Sequence, residues 1–204
     1  MLPDSEHYLL GYGSLLSHDS RYLFSDIDCQ AVPLVVDGWQ RAWATRSSIV
    51  QQTCLGAFKR QGAWLNAAIL PITEITPKLM TREAEYSFEA LTVAQLSLPE
   101  SHQHIDLTSL KDKKIWICQN FDSYNASEAF PITQSYLDTC LSGCLEIAGR
   151  KFAKQFIAST VGWKSGWVND RVAPIYPRAA RISQETMSLI DQLLTEEDIL
   201  RFRT

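Results

Sequence analysis

The stretch Tyr8-Leu9-Leu10-Gly11-Tyr12-Gly13-Ser14-Leu15-Leu16 constrains this chain most. An apolar run leads directly into a Gly-aromatic-Gly-Ser turn, the pattern of a buried strand that ends in a tight loop. Without a Cβ, Gly11 and Gly13 let the backbone turn sharply and come close to a ligand. Successive free N–H groups in such a turn form a small hollow suited to a carboxylate or a developing oxyanion. The simpler alternative is a glycine turn that only ends a strand.

The second feature is Leu79-Met80-Thr81-Arg82-Glu83-Ala84-Glu85-Tyr86, followed by the apolar-rich run 88–93. A Glu at the entrance to a strand, held in a partly apolar cleft, has its pKa raised toward neutrality and can shuttle a proton. Alternatively, Glu83 is a solvated charge paired with Arg82. Glu85 rivals Glu83, because two residues apart in an extended chain they would share a face.

Together these segments resemble the gamma-glutamylcyclotransferase superfamily, nearest its ChaC-like branch, which carries a Y-G-S-L loop after its first strand and a catalytic Glu in an L-D-x-R-E segment before a later strand. Val36-Asp37-Gly38-Trp39-Gln40-Arg41-Ala42-Trp43 is similar to the family's second strand, Leu65-Asn66-Ala67-Ala68-Ile69-Leu70-Pro71-Ile72 to a further strand, and the region 131–158 to its helical tail. This chain departs from the pattern at Met80, which stands for the Asp, at Ala84-Glu85, which replaces Gly-Gly, and at Thr45-Arg46-Ser47-Ser48, where the family has R-G-T. The strand glycine is Ala67 or Ala68.

The resemblance implies an α+β fold: a small mixed β-barrel, closed or nearly so, with flanking helices and a helical C-terminal third. It also implies release of 5-oxoproline from a gamma-glutamyl amide or peptide, glutathione among the candidates. In that reaction the substrate's own α-amine attacks its γ-carbonyl, so neither cofactor nor metal is needed. Glu83 is the expected acid/base, the register being chosen because Arg82-Glu83 matches R-E. Gly13, Ser14 and Leu15 are expected to grip the substrate carboxylate or the oxyanion, Tyr12 to shape the wall, and Tyr86 to orient Glu83 or donate a hydrogen bond. Two readings of other classes stay open: a non-catalytic small-molecule or protein binding module, and an amide-cleaving enzyme with a Cys nucleophile.

Composition narrows the classes. With 204 residues, 46% apolar and 21% charged, the chain reads as one globular domain, β-rich over 1–121 and helical over 124–204. A net charge of −4 without a basic run argues against nucleic acid. No apolar stretch approaches the roughly 20 residues that cross a bilayer, and no signal-peptide pattern opens the chain. The five cysteines contain no C-x-x-C pair and read as reduced thiols in a cytoplasmic protein, with Cys140 and Cys144 on one helix face in the core. The expected partner is a small gamma-glutamyl substrate, and the expected state a monomer or homodimer.

Strands are predicted over 8–11, 31–42, 54–58, 64–72, 88–94 and 114–119, and helices over 132–147 and after Ser183, which can cap the last one. The polar insert 97–113 holds His102-Gln103-His104, an H-x-H pair without an evident third ligand, and is expected to be a surface loop. The segment 163–178 concentrates Trp163, Trp167, Asn169, Asp170, Arg171, Tyr176 and Arg178. It is either a ligand wall, with Arg171 and Arg178 gripping substrate, or a brace in which the tryptophans pack and Asp170 pairs with Arg171 or Arg178.

Overall fold

The computed structural model describes residues 2–47, 49–163 and 166–204; Ser48 and the pair 164–165, which fall in segments singled out above, lie outside the described residues. The fold is α+β. Its centre is β1 (His7–Gly11), antiparallel to β3 (Thr53–Ile72) on one side and parallel to β6 (Lys114–Gln119) on the other. β2 (Val32–Arg46) pairs antiparallel along β3, and β4 (Ser87–Leu91) antiparallel along β6. Short β5 (Leu96–Ser97) forms the far edge on β2. The order is β4-β6-β1-β3-β2-β5, and the sheet curls into a half-barrel. Among the described residues its edge strands do not pair with each other, so the barrel is open rather than closed.

The segments 54–58 and 64–72 belong to one strand. Between the pairs Trp39↔Lys59 and Asp37↔Trp64 the β3 side carries extra residues, and Gly62 there has φ +77°. Polar Arg60-Gln61 breaks the alternation in sequence because these residues leave the buried face. The last predicted residues of the 88–94 strand instead form a 3₁₀ turn, Val93–Gln95, closed by a Thr92/Gln95 capping box.

After α1 (His18–Ser25) and α2 (Pro77–Arg82), the chain forms β7 (Ile132–Thr133) and then the long α3 (Gln134–Ser159). The helix is bent at Ala148–Gly149, where Gly149 has φ 70° and ψ −163°, a conformation open essentially to glycine alone. Ile132 and Thr133, predicted as helix, pair parallel with β9 (Trp167–Val168) instead; β8 (Thr160–Val161), which precedes β9 in the chain, joins β2. α4 (Gln184–Glu196) starts as predicted, with the Ser183 side chain accepting from the Thr186 N–H.

Leu137, Cys140, Leu141, Cys144 and Phe156 of α3 are fully buried. Each such leucine contributes about 1.5–3 kcal/mol. The cysteines are all free; four are buried, and burial pushes Cys144 up to about 12. Arg41 of β2 is also wholly buried, and no carboxylate is among its partners in the described residues. It bonds the carbonyls of Tyr12, Asn66 and Phe156 at 3.1, 2.8 and 2.9 Å and lies 3.7 Å over the Phe156 ring. The negative end of α3 offsets part of the buried charge, while burial lowers the pKa to about 10. Arg41 thereby ties the loop after β1 to β3 and α3.

Ser97 ends β5, and the rest of the 97–113 insert is a largely exposed run of turns with two 3₁₀ segments, Glu100–His102 and Thr108–Leu110; Leu110 is buried, and the His102 and His104 rings stack 6.1 Å apart. Among the described residues no helix is long and apolar enough to cross a membrane.

Candidate active site

β1 ends at Gly11, and the chain turns through Tyr12-Gly13 into a 3₁₀ turn, Ser14–Leu16. A Cβ on Gly13 would lie 2.8 Å from the Tyr136 hydroxyl, so glycine is what lets α3 approach the loop. Among the described residues the N–H groups of Gly13, Ser14 and Leu15 donate to no protein acceptor, whereas the Leu16 N–H bonds the Gly13 carbonyl at 3.0 Å. Because β6 runs parallel to β1 and β4 antiparallel to β6, the end of β1, the end of β6 and the turn before β4 meet at one edge.

That turn carries Glu83. Thr76 caps α2 at its start, and Glu83 closes it, its N–H bonding the Leu79 carbonyl at 3.0 Å. Residues 83–85 then form a turn rather than an extended strand, so Glu83 and Glu85 do not share a face. Glu83 enters a cavity with Tyr12, Gly13, Ser14, Leu15, Tyr86 and Arg178. Leu10, Cys54, Leu55, Cys118 and Tyr136 complete the wall. Glu85 lines a different hollow, with Arg46, Asn120 and Tyr124.

Arg82 holds the arrangement together. Its side chain is 2% exposed, and all five N–H donors are used. Nε bonds Glu83 Oε1 at 3.1 Å, Nη1 bonds the Ser20 carbonyl and Ser25 Oγ at 2.8 and 2.9 Å, and Nη2 bonds Ser14 Oγ and Ser20 Oγ at 2.9 and 3.1 Å. One guanidinium therefore fixes the loop, α1 and the Glu83 carboxyl relative to one another. The Glu83 side chain is 12% exposed. Its pKa is raised because burial penalises the carboxylate more than Arg82 and Arg178 stabilise it. The phenols around it stay protonated: burial pushes Tyr12, Tyr86 and Tyr136 well above their ordinary value.

The structure therefore gathers Tyr12, Gly13, Ser14, Leu15, Glu83, Tyr86 and Arg178 around one cavity, and leaves out Arg171. Arg171 bonds Asp138 Oδ2 at 2.7 Å and Asp191 Oδ2 at 2.8 Å, tying α3 to α4. Tyr86 does not reach Glu83 through its hydroxyl, which donates to the Leu55 carbonyl at 2.8 Å. Asp170 pairs with neither arginine in the described geometry; it caps α3 by accepting from the Ser135 N–H at 2.8 Å and also takes the Ile175 N–H at 2.7 Å. Trp163 and Trp167 are buried, Trp163 packing edge-on to Trp43 at 5.3 Å. The segment thus braces the fold and contributes Arg178 to the cavity wall, with the buried Tyr176 behind it.

The sequence offers Arg82 only as an ion-pair partner of a solvated Glu83, and Tyr176 only as one member of the 163–178 segment. The Arg82–Glu83 pair is present, though buried rather than solvated, and nothing local in the sequence shows that the other partners of Arg82 lie on α1 and the loop. Tyr176 donates to Ser14 Oγ at 2.7 Å from a segment distant in sequence.

The sequence matches no protein-family model and no curated protein. Solved structures do match. A gamma-glutamyl cyclotransferase superposes with TM-score 0.55 at 10% identity, over 91% of this chain and 98% of that one. A human protein described as uncharacterized, loc79017, superposes with TM-score 0.55 at 11% identity, over 90% and 97%. YkqA from Bacillus subtilis superposes with TM-score 0.53 at 14% identity, over 74% of this chain and 52% of that one. Identities this low speak to the fold alone, and at that level the resemblance read from the loop and the Arg-Glu segment holds: this chain has the fold of the gamma-glutamyl cyclotransferase superfamily.

Proposed function

We propose that the protein is a gamma-glutamylcyclotransferase-like enzyme that releases 5-oxoproline from a gamma-glutamyl amide or peptide. One observation carries the reading: a Glu83 carboxyl with a raised pKa shares a cavity with the Gly13–Leu15 backbone donors, and Arg178 is on the wall. A gamma-glutamyl head has the complementary groups, an α-ammonium, an α-carboxylate and a γ-carbonyl. Glu83 takes a proton from the ammonium, the freed amine attacks the γ-carbonyl carbon, and a new C–N bond closes the five-membered ring. As the bond to the leaving nitrogen breaks, Glu83 returns that proton to it, and the ring nitrogen passes its second surplus proton to the released amine, so the products are a neutral lactam and an ammonium. Charge on the carbonyl oxygen and on the carboxylate falls to the loop N–H groups, the Ser14 hydroxyl and Arg178. Holding amine and carbonyl within reach replaces an enzyme nucleophile.

Among the described residues, none of the departures from the family pattern lines the cavity. Met80 is 58% exposed on α2, so an Asp there would face solvent. A screen of glutathione, gamma-glutamyl amino acids and gamma-glutamyl amines for 5-oxoproline release tests the reading. Release from at least one class is expected. Binding of 5-oxoproline without turnover of any class would favour the binding-module reading instead.

A further inference from the structure

We propose that Tyr176 is a positioning residue that fixes the polarity of the Ser14 hydroxyl, making it an obligatory donor toward an acceptor oxygen of the bound ligand; the proposal rests on reading this cavity as the reaction site. Ser14 Oγ has two lone pairs and one hydrogen. Arg82 Nη2 donates to it at 2.9 Å, and a guanidinium can only donate. The Tyr176 hydroxyl is the second neighbour, at 2.7 Å. Its oxygen accepts from Arg178 Nε at 3.2 Å, so its hydrogen goes to Ser14. Burial keeps that phenol protonated and therefore able to donate.

Both Ser14 lone pairs are then filled. Among the described residues Ser14 Oγ donates to nothing, and Ser14 lines the cavity. Its hydrogen is left for whatever occupies that space. A hydroxyl held this way donates to a carboxylate or carbonyl oxygen and rejects an ammonium, because it has no lone pair to offer. It therefore sets the direction of a gamma-glutamyl head: oxygens toward Ser14, the amine toward Glu83. The chain of bonds from Arg178 through Tyr176 to Ser14 also passes polarisation from the guanidinium to that O–H. The Tyr176 ring has a separate packing role, edge-on to Tyr136 at 4.7 Å.

Tyr176→Phe keeps the ring and removes only the hydroxyl. Binding of 5-oxoproline, and of acetate as a bare carboxylate probe, is measured by calorimetry beside steady-state kinetics for the wild type, Y176F, S14A and the double variant. Y176F is expected to bind 5-oxoproline about tenfold more weakly and to lose about as much in kcat/KM, the scale of one hydrogen bond. In the S14A background the same change is expected to have no further effect. If S14A does not fold, S14C serves as the background. Equal losses in both backgrounds, or unchanged binding in Y176F, overturn the proposal. A wild type that binds both probes yet releases no 5-oxoproline would end the enzymatic reading while the binding comparison still decides this one; a wild type that binds neither probe overturns it.

Discussion

Glu83 is held in two opposing ways. Arg82 stabilises its charged form at 3.1 Å, while burial favours the neutral form and prevails. A carboxyl with a raised folded pKa binds its proton more tightly in the native state, so ionising it costs stability as pH rises from the ordinary carboxylate value through the folded one. Glu83→Gln removes that cost. The variant is therefore expected to melt at or above the wild-type temperature at pH 7, and the difference should vanish below the ordinary carboxylate range; a clear loss of stability at pH 7 would contradict this. The same shift places the acid limb of kcat/KM above the ordinary carboxylate range, activity falling as Glu83 becomes protonated. The two arginines of the 163–178 segment now separate. Arg171→Ala would leave Asp138, whose side chain is 3% exposed, without its bidentate cation. It should cost about 3 kcal/mol of stability and leave the kinetics of the folded enzyme unchanged. Arg178→Ala should mainly raise KM, with little change in melting. Parallel melting curves and KM values for the two variants test the division. At this scale the sequence named most of the cavity wall, through the glycines and the Arg-Glu pair. It could not separate Glu83 from Glu85, because that depends on a turn where an extended strand was equally readable. Nor could it divide Arg171 from Arg178, since Asp138 and Asp191, which hold Arg171 away from the cavity, lie on two separate helices.

The elements were legible where periodicity is strong and obscure where tertiary contacts override it. β6 and α4 follow their patterns, and Ser183 caps as its type suggests. The break in β3 is invisible because a bulge and a strand end look alike in sequence, both marked by polar residues and a glycine. Ile132 and Thr133 continue a helical pattern yet pair with β9, a partner that lies beyond α3. The close approach of α3 to the loop depends on Gly143, where a Cβ would sit 2.3 Å from the Leu16 carbonyl carbon and the Ser17 nitrogen. Both are backbone atoms, so no side chain can swing aside. Gly143→Ala should therefore destabilise the protein, although alanine is the better helix former by about 1 kcal/mol. It should also lower turnover by displacing the 14–17 backbone. Thermal melting and kinetics of this variant measure both effects; a stabilised, fully active G143A would show that the helix and loop are not in close contact.

For the molecule as a whole, the curled sheet brings three strand ends to one edge, and the buried arginines Arg41 and Arg82 lock the loop there, at the Tyr12 carbonyl and the Ser14 hydroxyl. The fold could be read from two short motifs because they mark the places where backbone and carboxyl must meet; the open edge of the barrel could not, since it depends on pairings that do not form. The central claim is that Glu83 moves the proton in ring closure. It is tested most directly by the rate of 5-oxoproline release from the best gamma-glutamyl substrate, compared among wild type, Glu83→Gln and Glu85→Gln. The account predicts that E83Q folds and loses about 10²–10⁴-fold in rate, while E85Q, altered in a separate hollow, stays near wild type. Full activity in E83Q, or loss confined to E85Q, would contradict it.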